Sequence, residues 1–332
     1  MKISCTLLFL MFICIASAQT VRTRTAKLMG ARFDFTIVAG DSAIAERYID
    51  TSIAEVKRIE YLISDWIDTT QVSRINKFAG IRPVVVDKEL IDLTTTALLF
   101  SKLTRGAFDI SFAAMEKIWF FDGSMTTMPG RADVERAKAK VGFSKIIIDT
   151  IHSTIFLRDT GMKIGFGALG EGYAADRCRE LMLKKGVTAG IVNGSGDMNT
   201  WGARPDGSPW KIGISDPFNK GSFYAVVPLK DGAVVTSGSY EKYAEINGKR
   251  YSHIINPATG YPATGLISVT VFGPSAEIAN ALSTSCMVLG RRRALRLIKR
   301  FTGYKCIIIA DNGKVYTSRN FQIDQYRVKD DQ

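Results

Sequence analysis

The chain has 332 residues, with 44 Lys+Arg against 32 Asp+Glu, and is 46% hydrophobic and 10% aromatic. Those figures exclude a disordered chain, a disulfide-built miniprotein and a collagen-like repeat, and the length can bury a sizeable core. A formal net charge of +12 invites an anionic partner, whether nucleic acid, a membrane surface or a phosphate-bearing substrate, and charge alone does not choose among them.

The first segment reads as a leader. Lys2 precedes an apolar run from Leu7 to Ile15, and Ala16-Ser17-Ala18 has the small-x-small pattern that signal peptidases cut. The run is shorter than the roughly 20 residues a spanning helix needs. Neither Cys5 nor Cys14 follows the small-residue pattern expected before a lipidated cysteine. The expectation is a signal peptide over 1–18, cleaved after Ala18, and an exported, periplasmic chain over 19–332.

After the leader, helix and strand signals alternate without a linker. Ile49, Ile53, Val56, Ile59 and Ile63 recur at helical spacing, with Asp41 or Ser42 placed to cap the start. A second helix is expected over Asp133–Val141, stopping at Gly142. A third follows Gly172 and ends at Gly186, a suitable C′ glycine. Two more fall at Ala276–Leu289 and Arg291–Phe301. Short apolar runs bounded by Gly, Asp or Pro predict strands at Ile146–Ile148, Thr154–Leu157, Ile191–Asn193, Trp210–Ile214, Ala225–Leu229, Ala233–Thr236, Ile267–Val271 and Cys306–Ile309. Several are closely spaced and read as antiparallel neighbours, which makes the class α+β with helices packed on the sheet.

Cys178, Cys286 and Cys306 lie beyond the leader, each in an apolar setting. One disulfide is possible on composition, and sequence does not select the pair. His152 and His253 are the only histidines, so a zinc or two-His metal site is close to excluded. The basic excess concentrates at Arg291-Arg292-Arg293, Arg296, Lys299 and Arg300. A solvated helix surface accounts for it, and no aromatic interleaving or nucleic-acid motif accompanies it.

Four segments carry chemistry. Gly165-Phe166-Gly167-Ala168-Leu169-Gly170-Glu171-Gly172 follows the strand-like Met162–Ile164 and opens a helix, where free N–H groups suit phosphate. It lacks the order of a dinucleotide or P-loop fingerprint, so a merely tight turn stays open. Asn193-Gly194-Ser195-Gly196-Asp197 also follows an apolar strand, and a plain turn explains it equally well. Thr236-Ser237-Gly238-Ser239 is followed by His253, which stands just before Asn256-Pro257-Ala258-Thr259-Gly260 amid hydroxyl residues. Asn280 and Thr284 are four apart, so both project from one helical face where their oxygens could ligate a hard cation; two polar positions on a packed helix explain the spacing as well.

Taken in order, these segments resemble the ApbE family, the FAD:protein FMN transferases. Leu28-Met29-Gly30 resembles its opening Met-Gly, and Ser64-Asp65-Trp66 with Ser73-Arg74-Ile75-Asn76 its Ser-x-Tyr and Ser-x-x-Asn stretch. Gly106-Ala107-Phe108-Asp109 with Trp119 resembles its Gly-x-Phe-Asp…Trp segment. Gly167 to Asp176 resembles its glycine-rich turn, and His253 to Gly260 its His-x-x-[Asp/Asn]-Pro-x-Thr-Gly, the most specific of the set. The resemblance covers nearly all of 19–332 and implies one T-fold-like α+β domain, an antiparallel sheet with helices packed around an FAD cleft.

By position, the resemblance implies that Met29, Trp66, Ala107, Phe108, Asp109, Glu171 and His253 contact FAD. It places Ala168 (through its carbonyl), Asn280 and Thr284 around a Mg²⁺ ion, and makes His253 the candidate catalytic residue. The implied reaction transfers FMN from FAD, as substrate, to a Thr or Ser hydroxyl and releases AMP. The implied partner is a periplasmic flavin-accepting domain of a membrane redox complex, with no nucleic acid and at most peripheral membrane contact. Three positions depart from the family pattern: Asn280 replaces the usual metal-site Asp, Gly165 an Asp, and Trp66 a Tyr. An amide keeps an oxygen but loses the charge, so Glu171 or Asp109 is expected to replace it in part. A non-catalytic FAD store, or hydrolysis of FAD to FMN and AMP, are the alternatives.

Overall fold

The computed structural model describes residues 19–115, 118–240, 242–319 and 321–328, so the expected leader lies outside the described residues. Eight strands form one sheet: β1 (Thr20–Leu28), β2 (Ala31–Ala39), β3 (Ala189–Gly194), β4 (Asp197–Trp201), β5 (Gly232–Gly238), β6 (Leu266–Gly273), β7 (Lys305–Ala310) and β8 (Val315–Thr317). Their order across the sheet is their order along the chain, and every neighbouring pair is antiparallel.

The helices are insertions into this meander. Between β2 and β3 come α1 (Ser42–Ile63), α2 (Gln71–Lys77), α3 (Lys88–Thr104), α4 (Arg131–Lys138) and α5 (Gly170–Lys184); between β6 and β7 come α6 (Ala276–Leu289) and α7 (Arg291–Ile298). No helix among the described residues is long and apolar enough to cross a membrane.

Period-two alternation explains how the sheet serves both faces. Cys306 and Ile308 of β7 join the helix-side core with Val235 and Val271, while Ile307 and Ile309 join the opposite core with Val234. That opposite core is closed by a hairpin, Trp210–Ser215 with Phe223–Leu229, through Trp210, Ile212, Ile214, Ala225 and Val227. A strand buried on both faces reads as the unbroken apolar run seen at Cys306–Ile309.

The expected α+β class is therefore observed, with most predicted strands within a residue or two of their places. Asp41, rather than Ser42, caps α1: its carboxylate accepts the Ile44 N–H at 2.7 Å. α4 ends at Lys138, short of the expected Val141, and α7 at Ile298, short of Phe301. Two helices, α2 and α3, were not anticipated. In α3 the buried positions Leu90, Ile91, Leu93, Thr94, Ala97, Phe100, Ser101 and Thr104 include hydroxyls, so its buried face does not read as apolar.

Met162–Ile164 is not a strand. Its backbone is held by a side chain instead: Asn76 donates to the Ile164 carbonyl at 3.0 Å and accepts the Ile164 N–H at 2.8 Å. All three cysteines are free and buried, so no disulfide forms among the described residues. α7 buries Ala294, Leu297 and Ile298 and leaves Arg292, Arg293 and Arg296 exposed. Arg291 stacks over the Tyr316 ring at 4.3 Å.

Candidate active site

A cleft of about 710 Å³ opens beside the sheet, within the size range of small-molecule sites. All ten residues singled out from the sequence line it. Met29 sits in the β1–β2 turn with φ 53°, and Trp66 follows α1 with its side chain 63% exposed. Ala107, Phe108 and Asp109 come from the loop after α3. Ala168 comes from the turn before α5 and Glu171 from its first turn, His253 from a loop after β5, and Asn280 and Thr284 from α6.

The segment 165–172 explains why the loops converge. Asn76 pins Ile164, and the Gly165 N–H donates to the Ile110 carbonyl at 3.0 Å, which draws the 3-10 turn after Asp109 against it. Leu169 stands at the N-cap of α5 and supplies no side-chain cap. The Asp109 carboxylate, in contrast, is occupied. Its Oδ1 accepts from the Ser111 N–H at 2.9 Å and the Ser111 hydroxyl at 2.6 Å, and Oδ2 accepts the Phe143 N–H at 2.8 Å. Asp109 thus braces its own loop.

On the opposite wall stands His253. Its Nδ1 lies 3.0 Å from the Lys242 carbonyl. A carbonyl only accepts, so Nδ1 carries the proton and Nε2 keeps its lone pair. Burial pushes the imidazole below its ordinary range, which keeps it neutral at pH 7. Phe121 meets the ring edge-to-face with centroids 6.3 Å apart, and Phe121 stacks on Trp119. Trp119 donates Nε1–H to the Gly260 carbonyl at 2.9 Å, tying the Trp of one motif to the glycine that ends another.

The third wall is acidic, and one of its members was read from the sequence only as the end of a turn segment. Ser195-Gly196 is a two-residue turn with φ 50° and 100°, the left-handed pair that a type I′ hairpin requires. The turn is as expected; its consequence is that Asp197, the first residue of β4, enters the cleft. Asn280 donates Nδ2–H to Asp197 Oδ2. Loss of solvent pushes Glu171 up to about 7, opposed by the Lys242 charge. Asp197 is pushed well above the carboxylate range by burial and by Glu171 beside it. Of the two carboxylates expected to stand in for the missing charge at 280, Glu171 is thus near Asp197 and Asn280, while Asp109 is engaged elsewhere. Ser237 of β5 bonds the hydroxyls of Ser283 at 2.7 Å and Thr284 at 3.3 Å, which fixes α6 over the cleft.

The ApbE family model matches residues 29–308, from the first cleft residue to the seventh strand. The chain belongs to the ApbE family. It is 31% identical over 288 residues to the FAD:protein FMN transferase of Klebsiella pneumoniae, covering 85% of this chain and 82% of that one. It is 32% identical over 286 residues to the enzyme of that name from Treponema pallidum, covering 82% and 79% of the two chains. The crystal structure of the ApbE protein from Thermotoga maritima superposes with a TM-score of 0.84 at 29% identity, over 93% of this chain and all (100%) of that one. Pseudomonas stutzeri flavinyl transferase ApbE in its apo form gives a TM-score of 0.80 at 27% identity, over 91% and 95%. As an ApbE protein, the chain has the mixed helix and antiparallel-sheet architecture of these structures.

Proposed function

We propose that this ApbE protein is an FAD:protein FMN transferase that moves FMN from FAD to a Thr or Ser hydroxyl of a target protein and releases AMP. The observation that carries the reading is the composition of one cleft: a neutral histidine, whose Nε2 has no hydrogen-bond partner among the described residues, shares it with a wall of oxygen donors. The match to relatives of that name over more than four-fifths of this chain supports it.

The oxygen wall fits a hard divalent cation. The Ala168 carbonyl, the Asn280 amide and the Thr284 hydroxyl border the same cleft as two carboxylates, Asp197 and Glu171, and the Glu171 charge helps push Asp197 up. Oxygen donors with few protein carboxylates suit Mg²⁺, which keeps several waters. Those residues would hold the ion, and when bound it would offset charge on the pyrophosphate and on the departing AMP.

The chain's own residues supply the rest. His253 Nε2 takes the proton of the acceptor hydroxyl, while its Nδ1–H stays on the Lys242 carbonyl. The hydroxyl oxygen forms a bond to the FMN phosphorus, the bond from that phosphorus to the bridging oxygen breaks, and AMP leaves with that oxygen. Trp66 and Phe108 offer apolar surface for the flavin ring. An exported location and a periplasmic flavin-accepting domain of a membrane redox complex as target complete the proposal.

The test mixes the 19–332 chain, FAD, MgCl₂ and a Thr-bearing target peptide, and reads flavin fluorescence on the peptide after denaturing electrophoresis. Fluorescent peptide is the expected result. Free FMN with unlabelled peptide would mean hydrolysis instead, and unchanged bound FAD would mean a storage protein.

A further inference from the structure

The inference that follows rests on the cation site just proposed and concerns its charge. The three donors placed around the ion, the Ala168 carbonyl, Asn280 and Thr284, are all neutral. Three uncharged oxygens are a weak set for a divalent ion in competition with water. Asp197 and Asn280 are both buried, at 7% and 4% exposure, and are joined by the hydrogen bond from Asn280 Nδ2 to Asp197 Oδ2. The amide turns its NH₂ toward Asp197, the orientation that an ionised carboxylate beside a cation requires, since it only accepts. The amide oxygen is thereby turned the other way, where the Thr284 hydroxyl lies 3.5 Å from it.

Two acceptors remain open. Among the described residues, no hydrogen bond reaches Asp197 Oδ1, and none reaches the Glu171 carboxylate, although both residues line the cleft. Neither is sealed from the cleft, and a carboxylate with little solvent around it and no donor is met most favourably by a cation. No Lys or Arg makes an ion pair with either residue among the described residues, and the nearby Lys242 acts on Glu171 only through space. The wall therefore combines unmet negative charge with two neutral oxygens already aligned.

We propose that Asp197 supplies the negative charge of the cation site and that the Asn280 amide couples the two, holding the Asp197 carboxylate while presenting its own oxygen beside Thr284. The charge absent from position 280 is displaced by one hydrogen bond onto the neighbouring strand. Glu171 contributes a second carboxylate to the same wall.

Manganese, used as a probe for the divalent site, is titrated into the FAD-saturated 19–332 chain without acceptor, and free Mn²⁺ is read by electron paramagnetic resonance. Asp197→Asn is expected to weaken Mn²⁺ binding by about tenfold or more. The exchanged pair, Asp197→Asn with Asn280→Asp, restores one charge and one amide and is expected to recover binding to within about threefold of wild type. Asp197→Asn that binds Mn²⁺ as wild type does would overturn the inference and leave the transferase reading standing. Absence of saturable Mn²⁺ binding in the FAD-loaded wild type would overturn the cation site itself, and this inference with it. Should Asp197→Asn fail to fold by circular dichroism, the exchanged pair decides: a folded pair with weak Mn²⁺ binding overturns the inference, and a folded pair with recovered binding supports it.

Discussion

Gly172 of α5 and Ala276 of α6 are in backbone contact: a Cβ built on Gly172 would fall 2.5 Å from the Ala276 carbonyl oxygen and 2.7 Å from its carbon. The helices carrying Glu171 and Asn280 therefore pass too closely here for any side chain at position 172. The glycine is needed at this position for helix packing. Gly167, in the same turn, has open space around its Cβ position, which leaves room for a ligand.

Gly172→Ala is accordingly expected to destabilise. Alanine improves helix propensity by up to about 1 kcal/mol, but forcing a methyl group against fixed backbone costs about 3 kcal/mol. The steric effect wins by about 2 kcal/mol, and Tm should fall by roughly 3 °C in a chain of this size. A differential scanning calorimetry trace with unchanged or raised Tm would show that α5 and α6 can move apart freely.

Asp176 caps α6 from its neighbour α5. Its carboxylate accepts from the Ser275 hydroxyl at 2.7 Å, the Ala276 N–H at 2.8 Å, the Glu277 N–H at 3.0 Å and the Asn199 amide at 2.6 Å. Removing it strands several donors at a buried helix start, so Asp176→Ala should cost about 3–4 kcal/mol. Asp176→Asn keeps an acceptor but loses the anion at the helix N-terminus, and should cost about 1–2 kcal/mol. Urea unfolding of both variants gives the comparison; equal losses would remove the charge from the explanation.

Glu277 should make stability depend on pH. Burial, with the Asp176 charge nearby, pushes its carboxyl up to about 7 from an ordinary 4.5. Between those values the folded protein holds a proton that the unfolded chain has released. Its contribution is thus full below about pH 4.5 and is lost as pH rises to about 7, by up to about 3 kcal/mol. Glu277→Gln is expected to raise stability at pH 8 relative to pH 5. Urea midpoints at the two pH values, in EDTA, test this: the same pH difference in variant and wild type would assign it to other groups.

His253→Gln should lower the transfer rate at saturating FAD by about 10²–10⁴, because proton acceptance is lost. The wild-type rate should rise with pH and level off below the ordinary histidine range, since burial keeps the ring neutral to lower pH. That inflection should vanish in the variant. An identical pH–rate profile in His253→Gln would mean that another group takes the proton.

Much of this protein is determined by local sequence. Asp41 and the Ile49–Ile63 spacing specify α1, and the apolar runs specify strands, because backbone hydrogen bonding and a period of 3.6 or 2 act over a few residues. The motifs likewise named ten residues that line one cleft, since a turn or a histidine beside Pro and Gly is visible locally. What only the tertiary structure decides is who meets whom. That Asp197 faces Asn280, that Asp176 caps a helix 100 residues on, and that Asp109 spends its carboxylate on its own loop depend on how strands 3 and 4 and the helices stack. Those pairings follow from burial and long-range contact, which leave no periodic trace in the chain.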